Sequence, residues 1–264
     1  MRLFALGVGL LLLGGTLAVA DDLDDAVDGL KKAEASKDVA KVKQQAAAVH
    51  AAAQKLQAPG SDDKERADYA KEQDTYAEYA LFALAAQMRA QGATAMDLLT
   101  TLEKQNPKSK YLDEPEALEI ETENALARKQ SDRALSYANR LIASANRKPP
   151  EGESASDWEA RKNAALGQGH WTAGVIEAEK EQLANADRNL RAALPLIKGN
   201  SGMMGPALFY LGVVNYKIAK ATLNKAKMLE AVKFSQDAAN IPGPQQSQAY
   251  TNAMNIKKEA DQMR

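Results

Sequence analysis

Two stretches of the chain superimpose at a spacing of 45 residues, and no other feature restricts the fold as much. Leu166-Gly167 returns as Leu211-Gly212, Ala186 as Ala231, Ala193 as Ala238 and Leu196 as Ile241. Trp171 and Tyr216 share a position, as do His170 and Asn215. A fixed period with small and large apolar residues at matched places marks a stack of helical hairpins, each covering the apolar face of the next. Composition agrees. The chain is rich in Ala, has only four Phe and two Trp, and gathers its Gly and Pro at a few boundaries, a profile that is helical almost throughout.

Residues 1–20 read as a segment apart from this fold. Arg2 precedes an apolar run from Leu3 to Val19, and Ala18-Val19-Ala20 has the small-x-small pattern of a signal-peptide cleavage site, with Asp21-Asp22 just beyond it. The rival reading is a retained membrane anchor, since the run approaches spanning length. Cleavage after Ala20 predicts an exported protein, periplasmic or secreted, with no integral membrane span. There is no cysteine, so no disulfide, no thiol nucleophile and no lipoprotein anchor of the bacterial type is expected. The formal charge of −1 gives no electrostatic footprint for nucleic acid.

The remaining chain divides at its turn and cap signals. Residues 21–60 read as an N-terminal helical hairpin, with Ser36 or Asp38 capping the second arm and Pro59-Gly60 ending it. Residues 61–148 read as two looser helix pairs. Ser61-Asp62-Asp63 opens the first of them, Gly92 breaks it into two arms and Asn106-Pro107 stops it. Asp113 is the expected cap of the next helix, with Pro115 in its first turn. Tyr69, Tyr76, Tyr79 and Phe82 lie about one helix face, the pattern of a core stripe. After a loop from Pro149, Ser156 caps a long helix that opens residues 156–244, two further pairs separated by Gly199-Asn200-Ser201-Gly202. Residues 245–264 form a polar helix suited to capping the open end of a stack.

The two pairs of 156–244 resemble the tetratricopeptide repeat. Leu166-Gly167, Ala186, Leu190, Ala193 and Leu196 match its Leu-Gly pair and its later small and large positions; Leu211-Gly212, Ala231, Phe234, Ala238 and Ile241 match them again. Both units hold seven more residues between the Leu-Gly pair and the mid-repeat Ala than the usual unit of about 34. Shared across a hairpin, these lengthen each arm by about one turn, roughly 5 Å. Leu118, Ala134, Tyr137, Leu141 and Ile142 fit an earlier unit more loosely, as do Tyr79, Phe82, Ala83, Ala95, Leu99, Leu102 and Pro107, but neither keeps the Leu-Gly pair.

The resemblance implies an all-α fold, a right-handed α-solenoid of antiparallel helix pairs with a C-terminal capping helix, whose first helices line a peptide-holding groove. Its register nominates Glu119 and Glu123, then Arg161, Gln168 and Trp171, then Phe209, Val213 and Tyr216 as groove residues. Trp171 and Tyr216 read equally as groove or as packing between helices. The family's carboxylate clamp of Lys, Arg and Asn is not matched, Arg161 being the one suitable residue. His50 and His170 stand far apart without carboxylates at metal-ligand spacing, so no metal site is expected; His170 falls at a packing position. Gly167-Gln168-Gly169 lacks the strand and remaining glycine of a phosphate loop. No nucleophile elbow or zinc-protease motif occurs, and no cofactor is expected. The expected function is that of a non-enzymatic scaffold of the bacterial envelope binding a protein or peptide. The competing readings are a structural component that self-associates as a homo-oligomer or completes an envelope complex, and a small-ligand binder or enzyme on a helical scaffold.

Overall fold

The computed structural model describes residues 13–58, 63–148 and 154–263, with the backbone alone for 13–21. The apolar run of residues 1–12, the Pro59-Gly60 stop, Ser61-Asp62 and the loop over 149–153 lie outside the described residues. So do the side chains about the expected cleavage site at Ala20. Within the described residues there are eleven α-helices and no strand: α1 (Leu13–Ser36), α2 (Val39–Leu56), α3 (Lys64–Gln87), α4 (Gly92–Gln105), α5 (Pro115–Ala127), α6 (Ser131–Ser144), α7 (Ala155–Glu179), α8 (Leu183–Ala193), α9 (Ser201–Thr222), α10 (Lys225–Ala239) and α11 (Gln246–Gln262), with a single 3-10 turn at Lys110–Asp113. None of these helices is long and apolar enough to cross a membrane. The chain forms two compact units, Met1–Leu112 and Asp113–Arg264. The division falls inside 61–148, and each of the two looser pairs lies whole in one unit.

In the first unit each helix packs on the next, and α1 also meets α3, as α2 meets α4. Leu23, Val27 and Leu30 of α1 and Val42, Ala46 and Val49 of α2 are buried at helical spacing. Asp38 is the cap of α2, accepting the Lys41 amide at 3.1 Å, and Asp63 caps α3 through the Arg66 amide at 3.0 Å. The aromatic stripe of α3 does not form the core. Tyr69 is 42% and Tyr79 47% exposed. The buried side of α3 is instead Ala70, Ala77, Ala80, Leu81, Leu84 and Ala85. Small residues let the helix axes come close, which leaves large rings no room between them and sets them at the flank. There the hydroxyls reach carboxylates: Tyr69 donates to Asp24 at 2.6 Å and Tyr76 donates to Glu34.

In the second unit each helix again packs on the next. The backbones of successive first helices also come close, α5 to α7, α7 to α9 and α9 to α11, while those of α6, α8 and α10 stand farther apart among the described residues, α8 and α10 meeting through long side chains. Leu118, Leu141, Leu190, Leu211 and Met228 are fully enclosed, each contributing about 2 kcal/mol of burial. Three boundaries differ from expectation. Glu114, not Asp113, precedes Pro115 at the start of α5, because the Asp113 carboxylate faces Arg140 at 2.9 Å and Arg147 at 3.5 Å. Ser154, not Ser156, caps α7, accepting the Asp157 amide at 3.1 Å. Ser201 and Gly202 belong to α9, which Asn200 caps, so Pro206 lies within that helix.

One turn recurs in four hairpins. Lys37, Lys129, Glu181 and Leu223 all adopt the left-handed conformation, with φ of 52°, 57°, 59° and 52°. In each case the next residue's amide reaches back five residues: Asp38 to Ala33, Gln130 to Ala125, Gln182 to Glu177 and Asn224 to Ala219, at 2.8–3.1 Å. This is the Schellman closure, made here without the glycine that normally occupies it. The turns of α7/α8 and α9/α10 lie 42 residues apart (223 − 181), not 45. The repeat therefore keeps its period while its turn moves by three residues. The extra length is helical but unequally shared: α7 and α9 have 25 and 22 residues, α8 and α10 only 11 and 15. The tightest crossing of the α7/α8 hairpin is accordingly at Gly174, where a Cβ would stand 2.6 Å from Leu190 Cγ and 2.9 Å from its backbone nitrogen.

Two substitutions test this geometry by thermal and urea denaturation. Gly174→Ala should destabilise by about 1–2 kcal/mol, overpacking outweighing the helix propensity gained; equal or higher stability would show that α8 moves away freely. Leu223 is 82% exposed, so Leu223→Gly should stabilise by about 0.5–1 kcal/mol through relief of the left-handed strain, whereas Leu223→Ala should change little.

Candidate functional site

The sequence-nominated residues all fall in the second unit, on the touching first helices α5, α7 and α9. Glu119 is 9% exposed, Glu123 is exposed, and Gln168 and Val213 are half-buried. Arg161 is engaged at the base of α7: its guanidinium bonds Glu116 at 3.0 Å and stacks on Trp158 at 5.2 Å. Phe209 leans toward α10 and α11, packing on Leu208, Ala238 and Ala249, with its ring edge-on to Tyr210 at 5.5 Å.

Trp171 and Tyr216 do equivalent work. The Trp171 indole donates to the Met203 carbonyl at 2.9 Å, and its ring packs on Leu190, Ala193, Ile197, Ala207 and Leu211. The Tyr216 hydroxyl donates to Glu259 at 2.8 Å, and its ring packs on Met228, Val232, Ile256 and Ala260. Each thus ties one first helix to the next, α7 to α9 and α9 to α11, while remaining half-buried. Lys220 reinforces the second tie, bonding Glu259 at 3.2 Å and lying 5.3 Å over the Tyr216 ring. Tyr210 ties α9 back to α7 through Glu179 at 2.8 Å; burial and that carboxylate push its hydroxyl up to about 12. Gln168 and Val213 each precede a tie residue by three positions, Trp171 and Tyr216, and Gln168 makes no side-chain hydrogen bond among the described residues. The sequence register found Trp171 and Tyr216 but not Tyr210, Lys220 or Glu259, whose partners lie on other helices.

The position that pairs His170 with Asn215 carries buried polar chemistry in both hairpins. Asn215 is fully buried and makes four bonds. It accepts from Arg191 at 3.2 Å and Lys227 at 2.9 Å, and donates to Asp187 at 2.7 Å and to the Leu211 carbonyl at 2.9 Å. Arg191 also bonds Asp187 at 2.9 Å and Glu230 at 2.8 Å, and lies 5.1 Å over Phe234. One network therefore joins α8, α9 and α10. In the preceding hairpin His170 Nδ1 meets Asn189 Oδ1 at 3.0 Å, and Asn189 donates to Glu177 at 2.7 Å. The i,i+4 spacing of Asp187 and Arg191 and the i,i+3 spacing of Lys227 and Glu230 were visible as helix-surface pairs. That they converge on Asn215 follows from the crossing of three helices.

Among the described residues no group of three or more His, Asp or Glu converges as metal ligands would. Two surface recesses, one beside Lys64, Asp68 and Tyr69 and one beside Ser201, Pro206 and Ile241, are lined by none of the groove residues.

The network has a defined pH response. Burial pushes the Asp187 carboxyl up, but bonds from Arg191 and Asn215 outweigh it and hold the group below its usual value; the Arg191 bond does the same for Glu230 against a smaller desolvation. Depressed carboxyls contribute stability that is complete above their unfolded values, about pH 4, and lost as pH falls through the folded ones. Asp187→Asn should therefore cost about 2 kcal/mol near neutrality and lose less stability than the parent below about pH 4. Parallel urea titrations across that range read both, and superimposable curves for the two proteins would discount the network. No family model matches the chain, nor does any curated protein or solved structure.

Proposed function

We propose that the chain is a non-enzymatic scaffold that holds a polypeptide along the face of α5, α7 and α9, in a right-handed tetratricopeptide-like stack. One observation carries the reading: in the second unit the backbones of successive first helices come close together, whereas those of the second helices stand apart and are bridged, from α8 to α10, only by side chains such as Arg191 and Glu230. Backbones drawn closer on one side than on the other suit a curved layer whose inner surface is made by the first helices. On that surface Gln168 and Val213 offer an amide and an apolar side chain at equivalent positions, with Glu123 farther along. Trp171 and Tyr216 support this face from beneath as ties between helices rather than as its principal contacts. Export to the bacterial envelope rests on the Arg2, Leu3–Val19 and Ala18-Val19-Ala20 pattern; the mature N-terminus would then be Asp21, which amino-terminal sequencing reads.

The test places a photo-crosslinking residue at Gln168, at Val213 or, as the control, at the exposed Lys233 of α10 in the full chain expressed in its native cell. Adducts from 168 and 213 to one common polypeptide, absent from 233, are the expected result by mass spectrometry. Adducts to a second copy of this chain alone would replace the scaffold reading by self-assembly. Adducts of equal yield from all three positions would remove the face from consideration.

A further inference from the structure

The first unit carries a second surface with a chemistry of its own. Phe82 of α3 and Tyr111 stack with centroids 5.6 Å apart and planes 17° from parallel. Tyr79 leans across both, 6.4 Å from Phe82 and 5.6 Å from Tyr111. Three clustered rings ordinarily mark a core, yet Tyr79 is 47% exposed. The platform is held from below. Glu78, buried beside Tyr79, accepts from Asn106 Nδ2 at 2.7 Å through one oxygen and from Ser109 Oγ at 2.7 Å through the other. Its carboxylate thus fixes the segment that delivers Tyr111 and is itself turned inward, engaged by the loop.

The segment that delivers Tyr111 is basic. From Lys104 to Leu112 the sequence has three lysines and no carboxylate. Lys104, Lys108 and Lys110 are all exposed, and none has an ion-pair partner among the described residues. Lys110 lies 5.0 Å over the Tyr111 ring, which brings its charge to the aromatic surface. Lys43 and Lys217, by contrast, close contacts between helices, to Asp97 at 2.6 Å and Glu181 at 2.7 Å. In sequence Lys104 and Lys108 flank Asn106, and Lys108 and Lys110 flank Ser109, whose side chains anchor this segment on Glu78, and all three lysines are exposed.

We infer that the Tyr79, Phe82 and Tyr111 surface with Lys104, Lys108 and Lys110 is a docking site for an acidic polypeptide segment. Carboxylates of the segment meet the lysines, and an apolar or aromatic side chain between them covers Tyr79. The rings supply contact area at small entropic cost, because the Glu78 anchor already orders them. The lysines select the sign of the partner and speed its approach. This site is separate from the α5, α7 and α9 face and stands without it.

The experiment is fluorescence anisotropy of the full mature chain with a fluorescein-labelled random copolymer of glutamate and tyrosine. Polyglutamate, a lysine–tyrosine copolymer and a neutral oligosaccharide serve as comparison probes. Lys108→Glu/Lys110→Glu and Tyr79→Ala should each weaken the glutamate–tyrosine copolymer by about ten-fold, equivalent to about 1.4 kcal/mol, with unchanged helicity. Tyr79→Phe should bind as the parent does. Raised salt should weaken the parent and leave the double variant little affected. Gln168→Arg should leave this binding intact, so failure of the α5, α7 and α9 reading is seen separately. Four results would overturn the inference: equal binding by parent and variants, equal binding of the lysine–tyrosine copolymer, preference for the oligosaccharide, or sedimentation showing that a second copy occupies the face.

Discussion

The structure depends on how closely α-helices can approach where they cross. A helix backbone can settle on its neighbour only where the intervening side chains are hydrogen or methyl, and the large residues then fill the space to either side. Gly174, where a Cβ would meet the Leu190 backbone nitrogen at 2.9 Å, and Gly212, where it would run into Ser235 Oγ, are two such contacts, and Ala33, Ala46, Ala53, Ala80, Ala134, Ala165, Ala186 and Ala231 provide further buried small positions in the hairpins. Because the crossings exclude large rings, aromatic residues are displaced to helix flanks. Tyr69, Tyr76, Tyr210 and Tyr216 all sit there, and each hydroxyl finds a carboxylate on another helix. Close packing by small residues therefore generates the polar ties as a consequence.

Those ties decide what the first helices can offer a partner. Trp171, Tyr210 and Tyr216 hold α7, α9 and α11 together, and the network around Asn215 holds α8, α9 and α10. Two cations and two carboxylates in that network balance in sign, and the buried amide meets three of them, Arg191, Lys227 and Asp187, with its fourth bond to the Leu211 carbonyl. Breaking one member would leave an uncompensated charge, so the arrangement resists sliding of α10 along α8 more than it adds raw stability. On the proposed scaffold reading, such resistance would keep the spacing of the binding face.

Much of this was legible in the sequence, and the limits have physical causes. The helices and the 45-residue echo follow from period and composition, which are local properties. The location of the α7/α8 and α9/α10 turns was not legible, because Glu181 and Leu223 occupy a conformation that sequence associates with glycine. Without that signal the echo implied equal hairpins, and the three-residue displacement of the second turn stayed hidden. The Tyr69 and Tyr79 positions failed for a related reason: helical spacing places residues on one face but does not say which face turns inward when an Ala-rich stripe competes for it. The cap of α5 was misplaced because Asp113 had better partners, Arg140 and Arg147, that lie far away in sequence.

The displacement of the turn also bears on recognition. Residues equivalent by the 45-residue register need not stand at equal heights above their hairpin turns: Gly167 precedes Glu181 by 14 residues, and Gly212 precedes Leu223 by 11. At about 1.5 Å per residue, successive first helices project past the register by different amounts, a difference of roughly 4–5 Å. A chain lying across α7 and α9 in the proposed manner would meet Gln168 and Val213 at like positions of the register but unequal distances from the turn. The turn-side edge of the face is therefore stepped, and on the proposed reading it would favour a segment that runs obliquely across the helices. Two side chains of such a segment would be read by an amide on one helix and an apolar contact on the next, so direction as well as composition enters the selection.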